Sequence, residues 1–227
     1  MTKSGQTLVF FMRPLTRFLR FFFHLLYHPF AWAYGLVAWM VSLGRWKDWG
    51  ESVIPFIEGT RVLELGHGPG HLQRILLSRN LFTVGLDKSR QMGNLAKKRL
   101  HKCGYAQISL IRGLGQGLPF LADSFDTVVA TFPAEYIFEK RTLSEVRRVL
   151  KSGGRLVVLP VAWVTGTGLL DRFAAWLFRV TGQAPSDLSE EAISQLIEPF
   201  SEAGIQVETE QLEVKSSRVL IVIARKT

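Results

Sequence analysis

The chain has 227 residues, enough for one sizeable α/β domain with some residues to spare. Its single cysteine, Cys103, excludes an intramolecular disulfide framework and fits a reducing compartment. The net charge of +9 and the pI near 10 favour an anionic partner. No basic run is long enough for a nucleic-acid arm, so no nucleic-acid partner is expected.

Residues 1–50 are predicted to form an apolar, aromatic helical extension that precedes a domain at 51–227. Arg13, Arg17 and Arg20 recur at helical spacing beside a Phe-rich face, a pattern typical of a helix lying on a membrane surface. Residues 21–44 lack Lys, Arg, Asp and Glu and are long enough for a span, but the aromatic residues spread along them argue against a simple one. Three interpretations stay open for residues 8–49: a surface anchor, a true span, or a lid packed on the domain.

Apolar and amphipathic segments alternate from residue 61 onward. Strands are predicted at 61–66, 82–87, 108–112, 125–132 and 154–161, and helices at 71–79, 89–101 and 141–150. This alternation predicts a doubly wound, mostly parallel sheet. Further helices are predicted at 169–181 and 189–203, before a C-terminal antiparallel hairpin of strands at 206–214 and 219–225.

The most informative stretch is RVLELGHGPGHL at 61–72, where an apolar strand breaks into a glycine turn and a helix start. The turn has the spacing G-x-G-x-G at 66–70, so the third glycine of a dinucleotide fingerprint is replaced by His71. Pro69 also removes an N–H group that a pyrophosphate would use. The stretch therefore predicts a nucleoside ligand without phosphates.

Asp87 is the last residue of the second predicted strand, which follows the glycine turn and its helix. A carboxylate at this position can accept hydrogen bonds from both hydroxyls of a ribose. It can also serve as the acidic residue at the start of the next helix, just before Ser89. The two roles are compatible.

Three segments resemble class I S-adenosylmethionine-dependent methyltransferases. The stretch E-x-G-x-G-x-G at 64–70 resembles their motif I, and 113–128 resembles G-D-A-x-x-L-P-F-x-D-x-S-F-D-x-V, except that Leu114 replaces the acid that holds the adenine amino group. The segment 143–158 resembles their helix, glycine turn and fifth strand, with Gly153 and Gly154 predicted as a tight helix-to-strand connection. The chain is most similar to the ubiquinone/menaquinone-biosynthesis-like branch (methyltransferase type 11).

The resemblance implies a Rossmann-like fold with S-adenosylmethionine as cofactor, and no metal is expected. Glu64 and the glycines would lie under the methionine and ribose parts, Asp87 would hold the ribose, and Leu114 with Gly115 would flank the adenine. The implied cofactor-binding residues are Glu64, Gly66, His67, Gly68, Gly70, Asp87, Lys88, Leu114, Gly115 and Thr131.

Glu135 and Tyr136, after the fourth predicted strand, are the candidate catalytic residues. A general base is needed only if the acceptor nucleophile is a hydroxyl or a carbon acid. His28 and His67 are further candidates for that base, and packing against the cofactor is the alternative role of His67.

The apolar N-terminus and the basic charge favour a small, hydrophobic or membrane-resident acceptor, such as a quinone precursor or a lipid. The expected enzyme is cytoplasmic, or peripheral on the inner face of a membrane that it contacts through residues 8–49. Two alternatives stay open: methylation of a soluble metabolite with the N-terminus as a lid, and a non-catalytic binding protein of the same fold. The departure at Leu114 motivates the second alternative.

Overall fold

The computed structural model describes residues 45–166, 168, 190–202 and 206–226, so the predictions for 1–44 and for a helix at 169–181 lie outside the described residues. The helices of the described part are α1 (Trp46–Glu51), α2 (His71–Ser78), α3 (Arg90–Lys102), α4 (Lys140–Val149) and α5 (Glu190–Glu202). Its strands are β1 (Arg61–Leu65), β2 (Phe82–Asp87), β3 (Ser109–Arg112), β4 (Phe125–Thr131), β5 (Leu150–Val164), β6 (Gln206–Glu213) and β7 (Ser217–Arg225). Short 3₁₀ turns occupy Ile54–Phe56 and Glu135–Phe138.

The strands form one seven-stranded sheet in the order β3-β2-β1-β4-β5-β7-β6. Strands β1 to β5 pair in parallel, whereas β7 is antiparallel to both β5 and β6. The predicted doubly wound sheet with a C-terminal antiparallel hairpin is therefore confirmed. Because the strand order reverses between β1 and β4, a ligand crevice is expected at the carboxyl ends of these two strands.

Apolar side chains cover both faces of the sheet. On one face Leu63 packs with α4 and with Phe200 of α5. On the other face Val62 packs with Leu72 of α2 and with Trp49 of α1. The alternation of Val62 and Leu63 between the two faces is the expected period of a strand buried on both sides. Helix α1 runs across residue 50, and the division of the chain at that residue stays a prediction.

Strand β5 begins earlier and ends later than predicted, and Gly153 with Gly154 lies inside it. The prediction of a tight helix-to-strand connection at these glycines is therefore wrong. The pairing of β4 with β5 shifts register between Phe125 and Thr127, so residues 151–154 stand opposite a single residue of β4. Gly153 has a φ of 74°, which suits such a bulge, and its N–H donates to the Lys226 carbonyl at 3.0 Å.

Asp126, which matches the family's S-F-D sequence, lies at the amino end of the sheet. Its carboxylate accepts hydrogen bonds from the N–H groups of Thr60 and Arg61 and from Lys151 Nζ. Burial alone would raise the pKa of Asp126, but these hydrogen bonds outweigh it and hold the pKa below its ordinary value. The residue fastens β1, β4 and β5 together at the end opposite the predicted ligand crevice.

Candidate active site

The glycine loop runs from β1 to α2 beside the carboxyl end of β2, and its backbone donors are already used. The N–H groups of Gly66 and His67 both donate to the Leu86 carbonyl, at 2.7 and 3.4 Å. The Gly68 N–H donates to the Asp87 carboxylate at 2.9 Å, and the Gly70 N–H donates to the His67 carbonyl at 3.0 Å. Pro69 has no N–H group. No backbone N–H group within residues 66–70 is therefore free to bind a phosphate.

Asp87 lies half-buried at the end of β2, beside the loop. One carboxylate oxygen accepts from the Gly68 N–H, and the other accepts from the Ser89 N–H at 2.8 Å. An ionised carboxylate has about four lone-pair sites, so each oxygen keeps capacity for a further donor. The two predicted roles of Asp87, ribose acceptor and helix-start acid, are compatible in this geometry.

A buried chain of polar side chains lies beneath the loop. Gln73 Nε2 of α2 donates to Glu64 Oε2 at 2.8 Å, and Thr83 Oγ1 of β2 donates to Gln73 Oε1 at 3.1 Å. Burial raises the pKa of Glu64 to about 8, assisted by the charge of Asp87 and opposed by the hydrogen bond from Gln73. The Glu64 carboxyl is therefore mostly protonated at neutral pH.

Sequence analysis missed Gln73 and Thr83, although both are polar residues within apolar segments. The Gln73 side chain packs against Gly85, where a Cβ would lie 3.0 Å from His67 Cδ2 and 3.2 Å from Gln73 Cδ. The buried His67 ring occupies this space, and its Nδ1 lies 2.7 Å from the Gly68 carbonyl oxygen. Burial lowers the pKa of His67, so the neutral ring donates to that oxygen. A packing role for His67 fits this position, and its contact with the cofactor stays a prediction.

The Tyr136 side chain lies between the end of β1 and the loop after β3. A Cβ at Gly66 would lie 2.9 Å from the Tyr136 hydroxyl oxygen, and a Cβ at Gly115 would lie 3.2 Å from its ring carbons. The two glycines therefore leave room for the Tyr136 side chain between them. Three residues that were predicted for different roles, Gly66, Gly115 and Tyr136, lie together at one place.

The other predicted residues are more peripheral. Thr131 is the half-buried last residue of β4, and the Leu114 side chain is 57% exposed. Lys88 and Glu135 are exposed, and within the described part of the chain their side chains make no hydrogen bond. The Lys88 carbonyl accepts from Arg112 Nε at 3.0 Å, which fixes the start of α3 against β3.

An aromatic wall stands beside the carboxyl end of β4. The Phe132 ring stacks on Trp46 of α1 with centroids 4.2 Å apart, and Trp49 lies 6.1 Å from it in a tilted arrangement. Phe132 has a φ of 48°, a left-handed conformation that is uncommon for a bulky residue and is often found at functional sites. The resemblance implies that the segment 131–136 faces the cofactor and the substrate, and Phe132 belongs to it; its stacking on Trp46 was not predicted.

Within the described ranges, no three His, Cys, Asp or Glu side chains are grouped so as to hold a metal ion. None of the described helices combines the length and the apolar character needed to cross a bilayer. Neither finding extends to residues 1–44 or 169–189.

Solved structures of S-adenosylmethionine-dependent methyltransferases share this fold. A possible histamine N-methyltransferase from Thermotoga maritima superposes with a TM-score of 0.59 at 20% identity, over 90% of this chain and 99% of that chain. Phosphoethanolamine N-methyltransferase 2 from Haemonchus contortus superposes with a TM-score of 0.57 at 18% identity, over 81% of this chain and 53% of that chain. At such identities the likeness concerns the fold alone.

The fold, the glycine loop and the sequence relatives together define an S-adenosylmethionine-dependent methyltransferase. Residues 23–196 match the model of the ubiE/COQ5 methyltransferase family, and the chain belongs to that family. It is 32% identical over 209 residues to the demethylmenaquinone methyltransferase of Thermotoga maritima, covering 82% of this chain and 89% of that protein. It is also 31% identical over 163 residues to the ubiquinone/menaquinone biosynthesis C-methyltransferase UbiE of Rhizobium meliloti. That match covers 67% of this chain and 63% of the Rhizobium protein.

We expect Glu64→Gln to flatten the pH dependence of stability between about pH 5 and pH 8. The folded pKa of Glu64 lies above its unfolded value, so the native state keeps a proton that the unfolded state releases. This stabilisation is complete below the unfolded pKa and is lost as the pH rises through the folded pKa of about 8. Glutamine imitates the protonated form and does not titrate.

Urea unfolding at pH 5, 6.5 and 8.5 measures this effect. The difference in free energy of unfolding, Glu64→Gln minus the unchanged chain, should become about 2–4 kcal/mol more favourable to the variant between the lowest and the highest of these pH values. Glu208→Gln makes the same chemical change at an exposed position of β6 and should leave the profile unaltered. Parallel profiles for Glu64→Gln and the unchanged chain would contradict a buried, protonated Glu64.

Proposed function

We propose that this methyltransferase transfers a methyl group from S-adenosylmethionine to a small, hydrophobic acceptor such as a quinone precursor or a lipid. The aromatic wall of Trp46 and Phe132, close to the carboxyl end of β4, is the observation that carries the acceptor class. The names of the Thermotoga and Rhizobium relatives, which refer to menaquinone and ubiquinone, support it. Methylation of a soluble metabolite and cofactor binding without turnover are the alternatives that the measurements below address.

The cofactor fits the donors and acceptors that the loop region offers. Asp87 has lone pairs for the two ribose hydroxyls, and the loop at 66–70 has no free N–H for phosphates. We assign Gly66 and Gly68 to the methionine and ribose parts. Backbone groups of Leu114 and Gly115 would hold the adenine, because the exposed Leu114 side chain cannot replace an acid there. The remaining contacts are assigned to Glu64, His67, Gly70, Lys88 and Thr131.

When bound, the cofactor supplies a sulfonium methyl group for in-line displacement by the acceptor nucleophile, which loses a proton if it is a hydroxyl or a carbon acid. The protein positions the acceptor and excludes water. Tyr136 is suited to positioning because it lies against Gly66 and Gly115, where we place the cofactor. Glu135 begins the same 3₁₀ turn, and its exposed carboxylate is the group that we propose receives the acceptor's proton.

We further propose peripheral membrane association through residues 8–49 on the inner face of a membrane. A membrane-resident acceptor would make this location useful. In the full chain, replacing Arg13, Arg17 and Arg20 with glutamine should weaken binding to phosphatidylglycerol-containing vesicles by at least about tenfold, because each cation near an anionic surface contributes about 1 kcal/mol. Co-sedimentation measures it, and equal retention of the variant and the unchanged chain would rule out the anchor.

Calorimetric titration tests the cofactor assignment. The chain should bind S-adenosylmethionine and S-adenosylhomocysteine, and Asp87→Ala should weaken both by about ten- to a hundredfold, since a hydrogen bond to a charged group contributes about 1.5–3 kcal/mol. Asp123→Asn, which removes an exposed carboxylate far from the loop, is the control and should bind as the unchanged chain does. If neither ligand produced a heat of binding in the titration, the result would favour the interpretation that Leu114 marks a loss of cofactor binding.

Substitutions after β4 test the acceptor side. With a short-chain demethylmenaquinone as acceptor, Tyr136→Phe should lower kcat at least tenfold and leave the affinity for S-adenosylhomocysteine within about twofold. Glu135→Gln should also lower kcat if its carboxylate takes the acceptor's proton. Unchanged kcat in both variants would exclude these side chains from the acceptor site. Turnover of soluble metabolites but not of the quinone would favour the alternative acceptor class.

A further inference from the structure

Two segments of opposite charge lie at opposite edges of the sheet. Residues 71–112 hold nine Lys or Arg residues and one acidic residue, whereas residues 190–213 hold seven acidic residues and no Lys or Arg. The first segment contributes β2 and β3 at one edge, and the second contributes β6 at the other. Six strand spacings separate the two edges, a distance of about 29 Å. The enzyme therefore has a cationic edge and an acidic edge.

On the solvent-exposed face of helix α3, every charged residue is a cation. Met92, Ala96 and Leu100 recur every four residues and are buried, so the opposite side of the helix faces outward. The helix contains no Asp or Glu. Its exposed cationic side chains are Arg90, Lys97, Lys98 and Lys102.

The protein itself does not neutralise this charge within the described residues. Every salt bridge found there lies outside residues 71–112, as in the pairs Arg148–Glu145 and Lys151–Asp126. The one carboxylate of the segment, Asp87, is engaged by backbone N–H groups instead. An external anionic surface would relieve the mutual repulsion of these cations.

The neighbouring elements indicate which anionic surface this is. Residues 1–47 carry six Lys or Arg residues, no acid and the long apolar stretch, and they lead directly into α1. Helix α1 packs on the same sheet face as α2, and the β1-α2-β2-α3-β3 crossovers place α3 on that face too. The charges of Arg99 and Arg74 both act on His71, so α2 and α3 bring cations together around the start of α2.

We propose that the exposed face of α3 docks on an anionic lipid surface while the acidic edge at β6 points away from it. A lipid surface fits because α1, which follows the apolar N-terminal stretch in sequence, packs on the sheet face that α3 also covers. The inference extends the membrane association proposed above and assigns it a surface of the folded domain. It is independent of the cofactor and acceptor assignments.

Cys103 offers a direct measurement, because this single, exposed cysteine directly follows α3. In the full chain, a fluorophore on Cys103 should be quenched by phosphatidylglycerol vesicles that carry a headgroup quencher. The matched control moves the label to the acidic edge, in a Cys103→Ser, Glu210→Cys variant, where quenching should be at least about threefold weaker. Vesicles of phosphatidylcholine alone, or high salt, should abolish the Cys103 signal if attraction between charges holds the surface.

Charge variants complete the test. Replacing Lys97, Lys98 and Lys102 with glutamine should weaken vesicle binding about tenfold or more, whereas the same loss of charge at Lys140, Arg141 and Arg147 on α4 should change it less than threefold. Equal quenching at both label positions, or equal effects of the two triple variants, would overturn the proposal. The proposal would also be overturned if salt-sensitive self-association of the protein, or its binding to duplex DNA, displaced the vesicles. S-adenosylhomocysteine binding, measured in the same variants, reports separately on the cofactor assignment.

Discussion

Two hydrogen bonds, from the Gly66 N–H to the Leu86 carbonyl and from the Gly68 N–H to the Asp87 carboxylate, decide what this site can recognise. They fasten the glycine loop to the end of β2 and use the donors that comparable loops offer to phosphates. Recognition then has to come from acceptors and from shape. The Asp87 carboxylate provides acceptors for hydroxyl groups, and the glycines allow a close approach. A nucleoside joined to a sulfonium-bearing amino acid fits those properties better than a nucleotide does.

The same loop is supported from beneath by a carboxyl group that burial keeps neutral. Glu64, Gln73 and Thr83 come from β1, α2 and β2, so their hydrogen bonds join the three elements that flank the loop. A neutral carboxyl can be buried there without an ion-pair partner, whereas an ionised one would be unfavourable. A positively charged ligand nearby would shift the balance toward the ionised form. With the cofactor bound where we propose, the free energy of folding and the free energy of cofactor binding would be linked through this proton.

The sequence predicts most of the fold because its signals are local. Apolar runs, the glycine turn and Asp87 each depend on a few consecutive residues, and the sheet follows from their alternation. The errors and omissions involve residues that meet only in three dimensions. The bulge at Gly153 depends on the register of β4, and the place of Tyr136 depends on two glycines in separate loops. The stacking of Trp46 on Phe132 likewise joins elements that are far apart in sequence. A pattern within one segment carries no information on such pairings.

Helix α1 connects the proposed acceptor site with the proposed membrane-facing side. Trp46 packs on Phe132 beside the end of β4, and the next residue, Lys47, is close enough to act electrostatically on His71. An apolar acceptor would therefore meet the aromatic wall next to the cations that attract an anionic surface. The reverse orientation would press the acidic edge against like charges and hold the wall away from the lipid. Attraction at one edge and repulsion at the other favour the orientation in which a hydrophobic acceptor avoids a passage through water.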